Sequence, residues 1–258
     1  MAYQVTNRLG TTLNQLIVVA EDRVKSSANQ PGSVLLAFAP QLANGATLPG
    51  IVEDYMDLPI VVSFEADGVW YQYDNFLNET ITIEKNPSGQ AAVASTGGTG
   101  GVMTALSNDY DIRHQLIRVI PSNPAGGMIS LRFDPYEPKL TLDPGTDEKT
   151  FWFVVDGSAP PWGVTLEWAK FSYASGANWN GDALDQVLGK KGVGTPDATG
   201  RTLFYSIPDS VIQALKDPND PRFKEDPKAT LGALTLEYTL GVDIDPEVEM
   251  EGPGTGGF

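Results

Sequence analysis

Apolar residues in this chain come in runs of strand length, and glycines and prolines punctuate them. Leu16-Ile17-Val18-Val19-Ala20 and Pro59-Ile60-Val61-Val62 are the longest such segments. Neither approaches the roughly 18 apolar residues that a membrane-spanning helix requires. Short runs rich in β-branched and aromatic residues, cut by 27 glycines and 19 prolines, are the pattern of a β-sandwich or barrel. The runs predict strands over Gln4–Arg8, Gln15–Ala20, Ser33–Phe38, Leu58–Phe64, Gly68–Tyr73 and Thr80–Glu84. Further strands are predicted over Leu116–Ile120, Met128–Phe133, Lys139–Leu142, Thr150–Val155, Gly163–Ala169, Thr202–Ser206 and Ala233–Leu240. In Thr80-Ile81-Thr82-Ile83-Glu84 the isoleucines share one face, so that strand is half-buried.

Helix is scarce. Leu184, Val187 and Leu188 form a stripe at helical spacing behind Asp182, which is placed to cap the free N–H groups. A second short helix is expected from Pro208 to Lys216, with Val211, Ile212 and Leu215 turned inward. Both read as crossovers between strands.

Gly32-Ser33-Val34-Leu35-Leu36-Ala37-Phe38-Ala39-Pro40 is echoed 95 residues later by Gly127-Met128-Ile129-Ser130-Leu131-Arg132-Phe133-Asp134-Pro135. Each copy is followed by a Pro-Gly turn, an apolar strand and a tryptophan-bearing strand. The expected fold is therefore all-β: two tandem jelly-roll- or β-sandwich-like halves with a few short crossover helices. Residues 1–122 would form the first half. Residues 123–258 would form the second, ending in an acidic, glycine-rich tail. The period-two reading buries Val34, Leu36, Phe38, Ile60, Val62, Ile129, Leu131, Phe133, Phe153, Val155, Leu166 and Trp168.

The chain of 258 residues has 17 Lys+Arg against 33 Asp+Glu, a formal net charge of −16. Such a surface repels phosphate backbones and anionic headgroups, which excludes generic nucleic-acid binding. With no cysteine, disulfides and thiolate chemistry are excluded too. Met1–Arg8 lacks a basic region followed by an apolar stretch, so no signal peptide is read there. The corresponding expectation is cytoplasmic synthesis of a soluble chain that ends in a particle.

Chemistry is hard to find. His114 is the single histidine, in Asp109-Tyr110-Asp111-Ile112-Arg113-His114, and that segment reads as a solvated loop with Asx turns. No serine sits in Gly-x-Ser-x-Gly, and nothing selects a glycosidase pair among Glu65, Asp67, Asp156, Glu167 and Asp185. The chain is expected to be no enzyme and to need no cofactor. A weak calcium-type site is offered by Asp217, Asp220, Glu225 and Asp226 in a proline-punctuated acidic loop. Trp162, Tyr173 and Trp179 form a candidate stacking platform for sugars, while Trp152 and Trp168 read as core. Past Leu240, Asp243, Asp245, Glu247, Glu249 and Glu251 recur with period two opposite Ile244, Val248 and Met250. With Phe258 these apolar residues would form an arm that docks on a neighbouring subunit.

The leading expectation from these features is a structural, self-assembling subunit of capsid or particle type, its partner itself or a second structural subunit. In layout alone, two jelly-roll-like halves are similar to the double-barrel coat proteins of membrane-containing viruses. The alternative is a β-sandwich module, lectin- or toxin-like, that binds glycans or a membrane surface.

Overall fold

The computed structural model describes residues 4–21, 33–50, 59–75, 80–96, 100–107, 109–122, 130–135, 138–146, 148–156, 163–188, 201–226 and 228–244. In chain order the strands of the first half are β1 (Gln4–Arg8), β2 (Leu13–Glu21), β3 (Ser33–Leu42), β4 (Thr47–Pro49) and β5 (Ile60–Ala66). They continue as β6 (Val69–Asn75), β7 (Thr80–Lys85), β8 (Ala91–Ser95), β9 (Gly101–Val102) and β10 (Thr104–Leu106). After a 3-10 turn at Asp109–Asp111 come β11 (His114–Ser122), β12 (Ser130–Asp134), β13 (Lys139–Leu142), β14 (Thr150–Val155) and β15 (Val164–Ser175). Helix α1 (Gly181–Leu188), β16 (Thr202–Ser206), α2 (Asp209–Lys216) and β17 (Leu234–Ile244) complete the described chain. The protein is mostly β, as its punctuation predicts.

The strands make four sheets: A (β4-β1-β7-β8-β9), B (β10-β6-β5-β2-β3), C (β12-β11-β14-β16) and D (β13-β17-β15). Alternation along each strand settles which layers touch. Leu16, Val18 and Ala20 of β2 join Val5, Ile81, Ile83 and Val93 of sheet A in one core. Their neighbours Ile17 and Val19 point the other way, onto Leu116, Trp152, Val154 and Phe204 of sheet C. Ile117, Val119, Phe151, Phe153 and Val155 face sheet D, where Leu166, Phe171, Leu236 and Tyr238 close the largest core with both helices. The stacking order is A, B, C, D. Sheets B and C are covered on both faces, and that is why β2, β5 and β14 carry near-continuous apolar runs rather than alternating ones.

Sheet partners change between Leu106 and His114, because β11 pairs with β12 and β14. The expected 122/123 boundary therefore falls between two strands that pair with each other. Each half carries one parallel pair, β1 with β7 and β11 with β14. Both pairs are flanked by antiparallel neighbours in the same order, β4-β1-β7-β8 and β12-β11-β14-β16. That correspondence matches β12 with β4 and not with β3, so the echoed segments do not occupy equivalent strands. They are instead edge strands of two facing sheets.

Two bulges correct the burial reading. The pairing of β15 with β17 slips between Leu166 and Trp168, so parity changes there. Leu166, Ala169 and Phe171 stay inside while Trp168 is turned to the outer face of sheet D, half-buried over Gly241. A side chain at Gly241 would collide with the Trp168 indole, so the indole lies over that glycine only because no Cβ stands there. In β3 the register slips opposite Val18 and Val19, and Val34 and Phe38 are only half-buried. Leu131 and Phe133 are likewise half-buried because β12 is an edge strand. Ile129 lies outside the described residues. The cap of α1 is Asn180, whose Oδ1 accepts from Ala183 N at 3.0 Å, and not Asp182. No helix among the described residues is long and apolar enough to cross a membrane.

Candidate binding cleft

Sheets B and C meet through an apolar patch. A cleft of about 630 Å³ between them is lined by Asn14, Gln15, Pro40, Gln41, Glu65, Leu116, Arg118, Asp134 and Pro135. Asn14 and Gln15 come from β2, and Pro40 and Gln41 from β3. Glu65 lies on β5, Leu116 and Arg118 on β11, and Asp134 closes β12. The two prolines of the sequence echo thus face the same space. The Asp134–Pro135 peptide is cis.

Gln15 is placed there by a bulge. Asn14 pairs with Glu65 and Ile17 with Ser63, so β2 carries one extra residue between them. Gln15 takes up that residue with φ of 50°, the left-handed region that costs a non-glycine residue on the order of 1–2 kcal/mol. Its Oε1 is buried without a hydrogen-bond partner. A strained backbone and an unsatisfied amide at one residue are features that packing alone would remove.

The other polar groups are held rigidly. Arg118 donates through Nη1 to Asp134 Oδ2 and through Nη2 to Asp156 Oδ2, both at 2.7 Å. Strand register sets this clamp, because Arg118 lies opposite Asp134 in the β11–β12 pair. Its Nε is buried without a partner. Across the cleft, Glu65 accepts from Asn14 Nδ2 and from the Gly68 amide. In the lining Glu65 and Asp134 are acidic and Arg118 alone is basic, and Arg118 is shared with Asp156, so the site keeps excess negative charge, which disfavours phosphate and carboxylate ligands and suits neutral hydrogen-bonding ones.

The residues singled out by sequence are scattered elsewhere. Trp162 lies outside the described residues. Trp179 is 1% exposed in the core and donates from Nε1 to Gly232 O at 3.0 Å, so it offers no face to a sugar. Tyr173 is half-buried, with its hydroxyl on Gly176 O at 3.1 Å. Asp220 is taken by Arg222, whose hydrogen bonds hold the carboxyl below its usual range. Asp217 and Asp226 cap turns through Asn219 N and Lys228 N, and Glu225 is exposed. Among the described residues no three His, Asp or Glu side chains converge as a metal site. Ile244 is paired with Val164 at the end of β17, and Val248, Met250 and Phe258 lie outside the described residues.

His114 departs most from its reading as part of a solvated loop. It is 2% exposed and opens β11. Trp152 Nε1 donates to its Nδ1 at 3.1 Å, and its Nε2 lies 3.0 Å from Glu21 Oε1. An indole N–H only donates, so Nδ1 must accept and the proton sits on Nε2, directed at Glu21. Arg113 also reaches Glu21 and, from Nη2, Asp74 Oδ2 at 2.6 Å. These contacts bind sheet B to sheet C and engage both imidazole nitrogens.

No family model matches the chain, and comparison with curated proteins finds no match.

Proposed function

We propose that the chain is a non-enzymatic glycan-binding β protein whose site is the cleft between sheets B and C. The observation that carries this reading is the lining itself. Planar amide, carboxylate and guanidinium groups from Asn14, Gln15, Gln41, Glu65, Asp134 and Arg118 sit beside the apolar walls Pro40, Pro135 and Leu116. Sugar hydroxyls both donate and accept, and the ring C–H faces suit apolar walls, so this mixture fits a neutral saccharide. Among the described residues Val102, at 51% exposure, is the one large exposed hydrophobic side chain. That supports a polar ligand over insertion into a membrane surface.

A glycan array probed with the full chain tests the reading, with Gln15→Gly and Gln41→Ala as variants. Glycine accepts φ of 50° without strain, so Gln15→Gly keeps the bulge and removes only the side chain. Each variant is expected to lose about tenfold or more in affinity for neutral glycans, the value of one hydrogen-bonding side chain. Binding that survives both substitutions contradicts the proposal.

Assembly through the C-terminal arm is the second reading. It is favoured by the way β17 stays paired through Ile244, so residues 245–258 follow directly from an ordered strand. A chain ending at Ile244, where the paired strand ends, is expected to fold and remain a monomer by mass photometry if the arm drives assembly. Equal assembly with and without residues 245–258 rules the arm out.

A further inference from the structure

Asn14 differs from the other two amides of the cleft in having its orientation dictated by the protein. In sheet B it stands in a cross-strand row, with Gln41 of β3 on one side and Glu65 of β5 on the other. Its Nδ2 donates to Glu65 Oε2. A carboxylate oxygen only accepts, so the NH2 end of the Asn14 amide is fixed on Glu65. Its Oδ1 is the end held away from that carboxylate, on a residue that lines the cleft. Glu65 is itself anchored, because the Gly68 amide donates to its Oε1. Asp67 and Gly68, with φ of 52° and 78°, form the tight turn that brings this amide back onto Glu65. Thr11 Oγ1 ties that turn to the approach to β2 by donating to Asp67 Oδ1 at 2.9 Å. Gln15 and Gln41 have no such anchor among the described residues: Gln15 Oε1 is unpartnered and Gln41 is exposed. Either can turn its donor or its acceptor end to a ligand.

We propose that Asn14 is the specificity-determining residue of the cleft, a fixed acceptor that selects a saccharide hydroxyl able to donate. Glu65 is the positioning residue that sets its polarity. This rests on the cleft being the glycan site. A hydroxyl donates and accepts, whereas a fluorine in its place is of similar size and can only accept. Fluorination of the hydroxyl that meets Asn14 therefore sets acceptor against acceptor. Glu65→Gln reverses the arrangement without changing its shape. With Oε1 kept on the Gly68 amide, the new side-chain NH2 faces Asn14, whose amide turns its Oδ1 to accept from it. The Asn14 NH2 is then presented to the cleft, and the variant donates where the unaltered protein accepts.

The probes are the methyl glycosides of glucose, galactose and mannose and their monodeoxyfluoro analogues, titrated into the isotope-labelled full chain and read by side-chain amide shifts. In the unaltered protein one ring position is expected at which fluorine weakens binding about tenfold or more, the effect of losing one hydrogen bond and leaving its acceptor unpaired. In Glu65→Gln the penalty at that same position is expected to fall below about threefold, while penalties at the other positions stay as they were. A substitution that merely loosened the turn would weaken the parent and fluorinated sugars alike and leave their ratio unmoved. Fluorine penalties under about threefold at every position of the unaltered protein overturn the proposal and leave the glycan reading standing. A penalty that Glu65→Gln does not reduce does the same. No saturable binding of any parent glycoside overturns the proposal as well, and the glycan array then decides the broader reading separately.

Discussion

Phe171→Ala is expected to destabilise the chain by about 3–5 kcal/mol in urea unfolding, the usual cost of emptying an aromatic core site. Phe171 is fully buried, and its ring centroid lies 4.2 Å from that of Tyr205, 5.6 Å from Phe151 and 5.7 Å from Tyr238. These rings come from β14, β15, β16 and β17, so one truncation loosens both sheets of the C–D core at once. The phenols of Tyr205 and Tyr238 are pushed up by burial, which marks the surroundings as dry. The cavity cannot collapse easily, because four ordered strands surround it. Phe133→Ala on the half-buried edge strand should cost clearly less. Equal losses at the two positions would mean that the core is not organised around Phe171.

His114→Ala is expected to cost a similar amount, about 3–5 kcal/mol, and to split unfolding into two steps. The substitution orphans the buried Trp152 indole N–H, which alone costs about 1–3 kcal/mol, and removes a partner from the buried Glu21 carboxylate. Arg113 stays with Glu21, so that carboxylate is not left wholly unpaired. Because Glu21 belongs to β2 and His114 to β11, the contact joins sheet B to sheet C. Its loss should uncouple the A–B sandwich from the C–D sandwich. Two-wavelength unfolding curves check this, and a single transition with a loss under about 1 kcal/mol would show that the imidazole only fills space.

Much of the fold is legible in the chain. Strand-length runs, turn residues and two short amphipathic stripes locate the elements because each signal is local. What escapes is whatever depends on partners across the sheet. Leu16–Ala20 and Thr150–Val155 read as apolar runs, yet only the stacked layers reveal that alternate residues belong to different cores. Trp168 and Phe38 depart from strict period-two burial because register slips shift the alternation. The cleft is less legible still. Arg118 and Asp134 meet only through strand register, and Gln15 reaches the cleft only through a bulge. The polar pair Asn14-Gln15 between Leu13 and Leu16 of β2 is the signal the sequence offers. Tryptophans near loops are the louder signal in the sequence, yet Trp179 is core.

The central proposal is that the cleft between sheets B and C binds a neutral glycan. Its most direct test is NMR titration of the isotope-labelled chain with a neutral oligosaccharide drawn from the array, following side-chain amide and methyl resonances. Saturable shifts are predicted at the Gln15, Gln41 and Asn14 amides and at the Leu116 methyls, with the Trp179 indole unmoved. Shifts that gather instead around Trp168 and Gly241 on sheet D, or that leave Gln15 and Gln41 unchanged at saturation, would contradict it.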